Sequence, residues 1–133
     1  MAEQKKDEGF KSKEEAQEFG KNFYDAVCQS LCLDTDITEK DDLIAKYLNV
    51  DNFTMISGGT VKSGLKEWLA FHNGFIKMLK KSTASNIVIQ SWMSNAFAVS
   101  YRYETTFIND QQCTINGFAS FVVGNDKKIT YIV

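Results

Sequence analysis

Between Asn86 and Val133, apolar and polar residues alternate in runs broken by three short polar turns: Ser94-Asn95, Asn109-Asp110-Gln111 and Gly124-Asn125-Asp126. Asn, Asp and Gly suit hairpin turns because they tolerate positive φ or hydrogen-bond their own backbone. The clearest alternation places Phe97, Val99, Tyr101, Tyr103, Thr105 and Phe107 on one face, with Ala98, Ser100, Arg102, Glu104 and Thr106 on the other. Period-2 patterning predicts an antiparallel meander of four strands with one richly apolar face.

Upstream the apolar period lengthens to three and four. Ala16, Phe19, Phe23, Ala26, Val27, Ser30 and Leu31 make one helical stripe, and Ser12 with Glu15 three residues on forms a capping box at its start. Gly20 weakens this helix by about 1 kcal/mol relative to Ala, which predicts a backbone passing close by. Thr38 caps a shorter helix that buries Leu43, Ile44, Tyr47 and Leu48, and Asn52–Ile56 reads as a short strand before a Gly58-Gly59 turn. A long helix follows from Ser63-Gly64 to about Lys81, with the stripe Leu65, Trp68, Leu69, His72, Phe75, Ile76 and Leu79. Lys77, Lys80 and Lys81 would complement the dipole at its last turn. Helices segregated before an antiparallel sheet predict an α+β layer fold in which the helices cover the apolar face. Residues 1–11 are polar enough for a flexible tail, leaving 12–133 as a single domain.

Composition narrows the function classes. A net charge of -2 and a pI near 5.4 lack the basic stripe a nucleic-acid surface needs. No apolar run approaches the roughly 20 residues of a membrane span, and the first residues carry no apolar signal core, so the expected compartment is cytoplasmic. Three cysteines, Cys28, Cys32 and Cys113, are an odd number that predicts thiols in a reducing compartment. Without finger-like Cys/His spacing no metal site is expected, and no cofactor either.

The inward positions Trp68, Phe75, Val99, Tyr101, Tyr103, Phe107, Ile115 and Phe121 form an aromatic wall. Such a wall is either plain core or the lining of a pocket for a small flat hydrophobic ligand held by one or two hydrogen bonds. His72, the single histidine, is the one catalytic candidate, since imidazole titrates near neutrality. The simpler reading is a neutral core histidine bonded to the hydroxyl of Tyr24, Tyr101 or Tyr103. Catalysis would require an orienting carboxylate, and Glu104 alternates outward while Asp25 leaves the helix stripe. The opposite face carries Val88, Gln90, Trp92, Ser100, Arg102, Asn116, Phe118, Ser120, Val122 and Ile132. Its large apolar groups, with Arg102 among them, predict a two-fold homodimer through Trp92, Arg102, Phe118 and Val122. The alternative cover is the N-terminal tail.

The order of elements, with Phe23-Tyr24-Asp25-Ala26-Val27, Ser63-Gly64, Phe97–Tyr103, Gly117–Val123 and Asn125–Ile129, resembles the nuclear transport factor 2-like superfamily. That superfamily has a cystatin-like cone fold and includes ketosteroid isomerases, scytalone dehydratases and SnoaL-like polyketide cyclases. The resemblance covers the chain from about residue 12. It implies a curved antiparallel sheet wrapped around the N-terminal helices, an apolar pocket and dimers through the outer sheet face. It also implies where an isomerase would keep its chemistry. The base aspartate falls on Met55, Ile56 or Ser57, the neutral acid near Ala119, and the oxyanion tyrosine at Phe23 or, one residue on, Tyr24. The two carboxylate positions are not carboxylates here, and the dehydratases' pair of histidines is reduced to one. Three functions stay open: a binding protein whose pocket includes Tyr24, Trp68, His72, Phe75, Val99, Tyr101, Tyr103 and Phe121; an isomerase, dehydratase or cyclase using His72 with a tyrosine; and a protein-interaction module like nuclear transport factor, for which Asp34–Asp42 is the candidate patch.

Overall fold

A computed structural model of the chain describes residues 9–30, 44–57, 59–64, 66–67, 70 and 78–133. One long helix, α1 (Lys13–Ser30), precedes strands β1 (Thr54–Ser57), β2 (Thr60–Ser63), β3 (Leu79–Met93), β4 (Ala96–Phe107), β5 (Gln112–Val123) and β6 (Ile129–Ile132). They form one six-stranded sheet in the order β2-β1-β6-β5-β4-β3. The last four strands are the expected meander. The sheet is not wholly antiparallel, because β1 runs parallel to β6, with Thr54 opposite Tyr131 and Met55 opposite Ile132.

The helix begins where the capping pattern places it. The Ser12 hydroxyl accepts the Glu15 N–H at 3.0 Å, and the Glu15 carboxylate reaches back to the Lys11 N–H at 2.8 Å. Lys127, in the β5–β6 turn, meets the same carboxylate at 3.2 Å. The Lys11 amide and then the Lys127 ammonium hold the Glu15 carboxyl below its ordinary range. The turns also form as their residues dictate: Asn109 Oδ1 accepts the Gln111 N–H, and Asp110 takes a φ of 67°.

Four expectations are corrected. Leu79, Lys80 and Lys81 open strand β3 rather than close a helix; Leu79 pairs with Phe107 and Lys81 with Thr106. In the stretch read as a long helix, the described residues Gly64, Lys66, Glu67 and Ala70 are helical, and Trp68, His72 and Phe75 lie outside the described residues. Phe10, within the stretch read as a tail, is core: it is 2% exposed, its N–H donates to the Ser94 carbonyl at 2.7 Å, and its ring meets Phe19 and Phe97 edge-on. Gly20 faces the side chains of Phe97, Ile87 and Ile89 rather than a backbone. Ile132 is buried opposite Phe121, so it belongs to the inner face, not the outer one.

Three register irregularities bend β3, as bulges do. At one of them Asn86 takes a φ of 51°, a left-handed conformation that Asn tolerates. The one between Ile89 and Ser91 reverses the strand's alternation, so Trp92 lies opposite the inward-facing Phe97. Trp92 is therefore not on the outer face with Phe118 and Val122; Met93, opposite Ala96, takes that place. The far edge of β3 is occupied by a side chain. The Gln17 amide of α1 donates to the Ile87 carbonyl and accepts the Ile89 N–H at 3.0 Å, as a neighbouring strand would.

Candidate functional site

The inner face of the sheet changes character along β4. At one end Phe97 and Phe121 stack at 4.8 Å, enclosed by Phe10, Phe19 and Phe23. Val99 and Phe121, both read as pocket lining, sit here at 0% and 1% exposure. Two residues further on, the aromatic side chains gain hydroxyls. Tyr24 of α1 lies over Tyr101 with ring centroids 4.6 Å apart and planes tilted by 32°, and Tyr103 closes the trio at 5.9 Å from Tyr24 and 5.1 Å from Tyr101. Helical spacing brings Tyr24 to the sheet, and strand alternation turns Tyr101 and Tyr103 to meet it. Of the two neighbours that the resemblance left open, Tyr24 joins the tyrosines at 4.6 Å from Tyr101, while Phe23 packs on Phe121 at 5.5 Å and on Tyr47 at 6.0 Å.

Beyond the tyrosines lies a small buried polar group. Ser82 and Thr105, opposite each other across β3 and β4, share a hydrogen bond of 3.1 Å, and the Cys28 thiol approaches Ser82 Oγ at 4.0 Å. Thr105 was on the alternating inner face; Ser82 was missed because its polar neighbourhood was read as a helix end. Cross-strand pairing to Thr105 was the signal that would have found it.

None of the three tyrosine hydroxyls has a hydrogen-bond partner among the described residues. Burial raises all three phenols above their ordinary value of about 10. Their mutual proximity adds to the effect on Tyr24 and Tyr103, and Cys28 also raises Tyr103. They are therefore protonated at neutral pH and can donate hydrogen bonds but not abstract protons. Asp25 and Glu104 are exposed, as their alternation implied. Met55, near the position of an isomerase's base, is buried and apolar, as is Ala119 near the position of its neutral acid. Among the described residues no three His, Cys, Asp or Glu side chains gather as metal ligands would, and no helix is long and apolar enough to cross a membrane. The acidic run Asp34–Asp42, Cys32, Trp68, His72 and Phe75 lie outside the described residues.

The outer face presents Phe118 (61% exposed), Val88, Val122, Met93 and Tyr131. Val88, Ser100 and Phe118 line up across β3, β4 and β5, and Ala96, Val122 and Tyr131 across β4, β5 and β6. Arg102 lies beside them with its Nε buried and unpartnered, its guanidinium 3.9 Å from Glu104.

No protein-family model matches the chain, and no curated protein matches it. Its fold is nevertheless widely represented among solved structures. An NTF2-like protein of unknown function from Exiguobacterium sp. 255-15 superposes with a TM-score of 0.65 at 19% identity, covering 84% of this chain and 91% of that one. A polyketide cyclase candidate from Xanthomonas campestris pv. campestris gives a TM-score of 0.71 at 16% identity, covering 91% and 89%. The epoxide hydrolase/cyclase-like enzyme SalBIII, involved in pyran ring formation in polyether salinomycin, gives 0.66 at 18% identity, covering 90% and 88%. The chain thus has the nuclear transport factor 2-like fold, α+β with a curved, unclosed sheet. At these identities the likeness speaks for the fold alone.

Proposed function

We propose that the chain binds a small, flat, largely apolar molecule between α1 and the hydroxyl-bearing end of the sheet, with Tyr24, Tyr101 and Tyr103 donating hydrogen bonds to an oxygen of that molecule. The observation that carries this reading is the trio of protonated hydroxyls without a partner among the described residues. Protonated hydroxyls gathered at one end of the sheet can each donate to an oxygen brought by a ligand. A pocket of aromatic walls with a few convergent donors suits such a ligand. The test is a native mass spectrum of freshly purified protein, followed by titration with 2-naphthol. Retained mass of a few hundred daltons, or 2-naphthol binding that weakens in the Tyr24→Phe/Tyr103→Phe variant, supports the reading. A bare chain with equal 2-naphthol affinity in wild type and variant overturns it.

A second reading is an isomerase, dehydratase or cyclase in which a tyrosine serves as the acid and His72 as the base. It is favoured by the fold shared with SalBIII and the cyclase candidate. Turnover lost in His72→Leu with ligand binding intact would select it. The protein-interaction alternative rests on Asp34–Asp42, and charge reversal there would test it.

The outer face is proposed to pair with a second copy, burying Phe118 and Val122 and giving Arg102 Nε an acceptor. Its apolar groups are contiguous across strands, as at an interface. Phe118→Glu should yield monomers by sedimentation, and a persisting dimer would place the contact elsewhere.

A further inference from the structure

On β5 the inward positions run Ile115, Gly117, Ala119, Phe121, so the middle of the strand carries the two smallest side chains on that face. Gly117 lies directly opposite Tyr101. A Cβ built on Gly117 would overlap the Cζ, Oη and Cε2 atoms of Tyr101. The far end of the phenol therefore occupies the volume that a side chain at 117 would fill. The ring is laid down across β5 instead of standing up toward the helix, and Tyr24 rests on its other face at 4.6 Å. Any L residue other than glycine forces this ring to rise or rotate, because the overlapping atoms belong to a rigid aromatic group held from above.

We propose that Gly117 is the specificity-determining residue of the site: its missing side chain lets Tyr101 lie flat against β5, and the height of that ring sets how large a planar ligand fits beside the Tyr24–Tyr101 contact, on the open Ile115 side. This rests on the binding reading above and adds the residue that gauges ligand size. Neighbouring features agree. Ile115, also on the inner face and opposite Tyr103, is 45% exposed, so the sheet on this side of Gly117 is open, whereas Ala119 and Phe121 on the other side are sealed. Tyr101 stands at the boundary between the two.

Two probes of one chemistry and two sizes, phenol and 2-naphthol, test the proposal by NMR titration. In wild type, the Gly117 Hα resonances should be displaced upfield by the Tyr101 ring current and return toward ordinary values in Tyr101→Leu; undisplaced resonances overturn the proposal without any ligand. Gly117→Ala should weaken 2-naphthol about tenfold more than phenol, the range one added methyl commands in an apolar pocket. Adding Tyr101→Ala to Gly117→Ala should restore 2-naphthol, and Tyr101→Ala alone, which leaves the glycine in place, should shift preference toward it. Equal weakening of both probes in Gly117→Ala, or an unchanged preference in Tyr101→Ala, overturns the proposal. A wild-type chain that binds neither probe overturns the binding reading and this inference with it; binding of both probes without a change in preference overturns this inference alone.

Discussion

The two ends of the inner sheet face are built from the same kinds of element and the same strands, yet they are finished differently. The phenylalanine end, with Phe10, Phe19, Phe23, Phe97 and Phe121, has no polar atom in its rings to satisfy and closes on itself. The tyrosine end places similar rings at similar separations but adds a hydroxyl to each, and those hydroxyls find no partner among the described residues. One end spends its aromatic surface on stability, and the other holds donors in reserve. Residue type along a single strand, from Phe97 through Val99 to Tyr101 and Tyr103, separates a core from a candidate site.

Substitutions should respect that division. The largest effect is expected for Phe121→Ala, which removes a stacked, fully buried ring and should cost about 3–5 kcal/mol in denaturant unfolding. A loss under 1 kcal/mol would mean that this end is not closed. Next is Gln17→Ala, which strips the amide from the edge of β3 and leaves the Ile87 carbonyl and Ile89 N–H unpaired, for about 1–3 kcal/mol. Hydrogen exchange at Ile89 should rise with it, and unchanged exchange would show another group on that edge.

Alkaline pH probes the other end. The folded-state pKa values of Tyr24 and Tyr103 are raised above the unfolded value of about 10. The stability tied to their protonated forms is fully present below that unfolded pKa and is lost as pH rises toward the higher folded-state values, because the unfolded chain then binds fewer protons. Tyr24→Phe/Tyr103→Phe should flatten the decline measured by chemical denaturation above pH 10, and an unaltered decline would place its source elsewhere. Gly20→Ala should stabilise by about 0.5–1 kcal/mol, since a methyl there meets Phe97, Ile87 and Ile89 at ordinary contact distances; destabilisation would show the phenylalanine end to be packed tighter than its geometry. The smallest change in stability, within about 0.5 kcal/mol, is expected for Tyr24→Phe at neutral pH, because the hydroxyl it deletes has no partner among the described residues to lose.

How legible each part was depends on how local its cause is. The β4 alternation, the Ser12 cap and the three turns are set by neighbouring residues, and the chain could be read directly. The tyrosine trio followed from the same alternation once Tyr24 was placed on the helix. The misreadings share a non-local origin. Lys80 and Lys81 are polar and follow a helical period, and only pairing with Thr106 and its neighbours makes that stretch a strand. Trp92 changed faces because the irregularity after Ile89 shifts parity, which composition does not announce. Phe10 stands alone in a polar run, and its burial depends on Ser94 and Phe97, far along the chain. Gln17 has no apolar signal, and Gly117 reads as an ordinary strand glycine until Tyr101 is laid over it.

The parallel pairing of β1 with β6 has a consequence for how the molecule assembles. The β1–β2 hairpin joins the sheet through a strand separated from it by most of the chain, alongside the Leu48–Ile129 bridge. Contacts of such sequence separation close late, because the loop entropy must be met before they return anything. The meander can form from hairpins as it is synthesised, whereas the hairpin must wait for β6 before it has a sheet to join. Opening of β6 in the finished protein would release both together, making the hairpin and the last strand one cooperative unit rather than two.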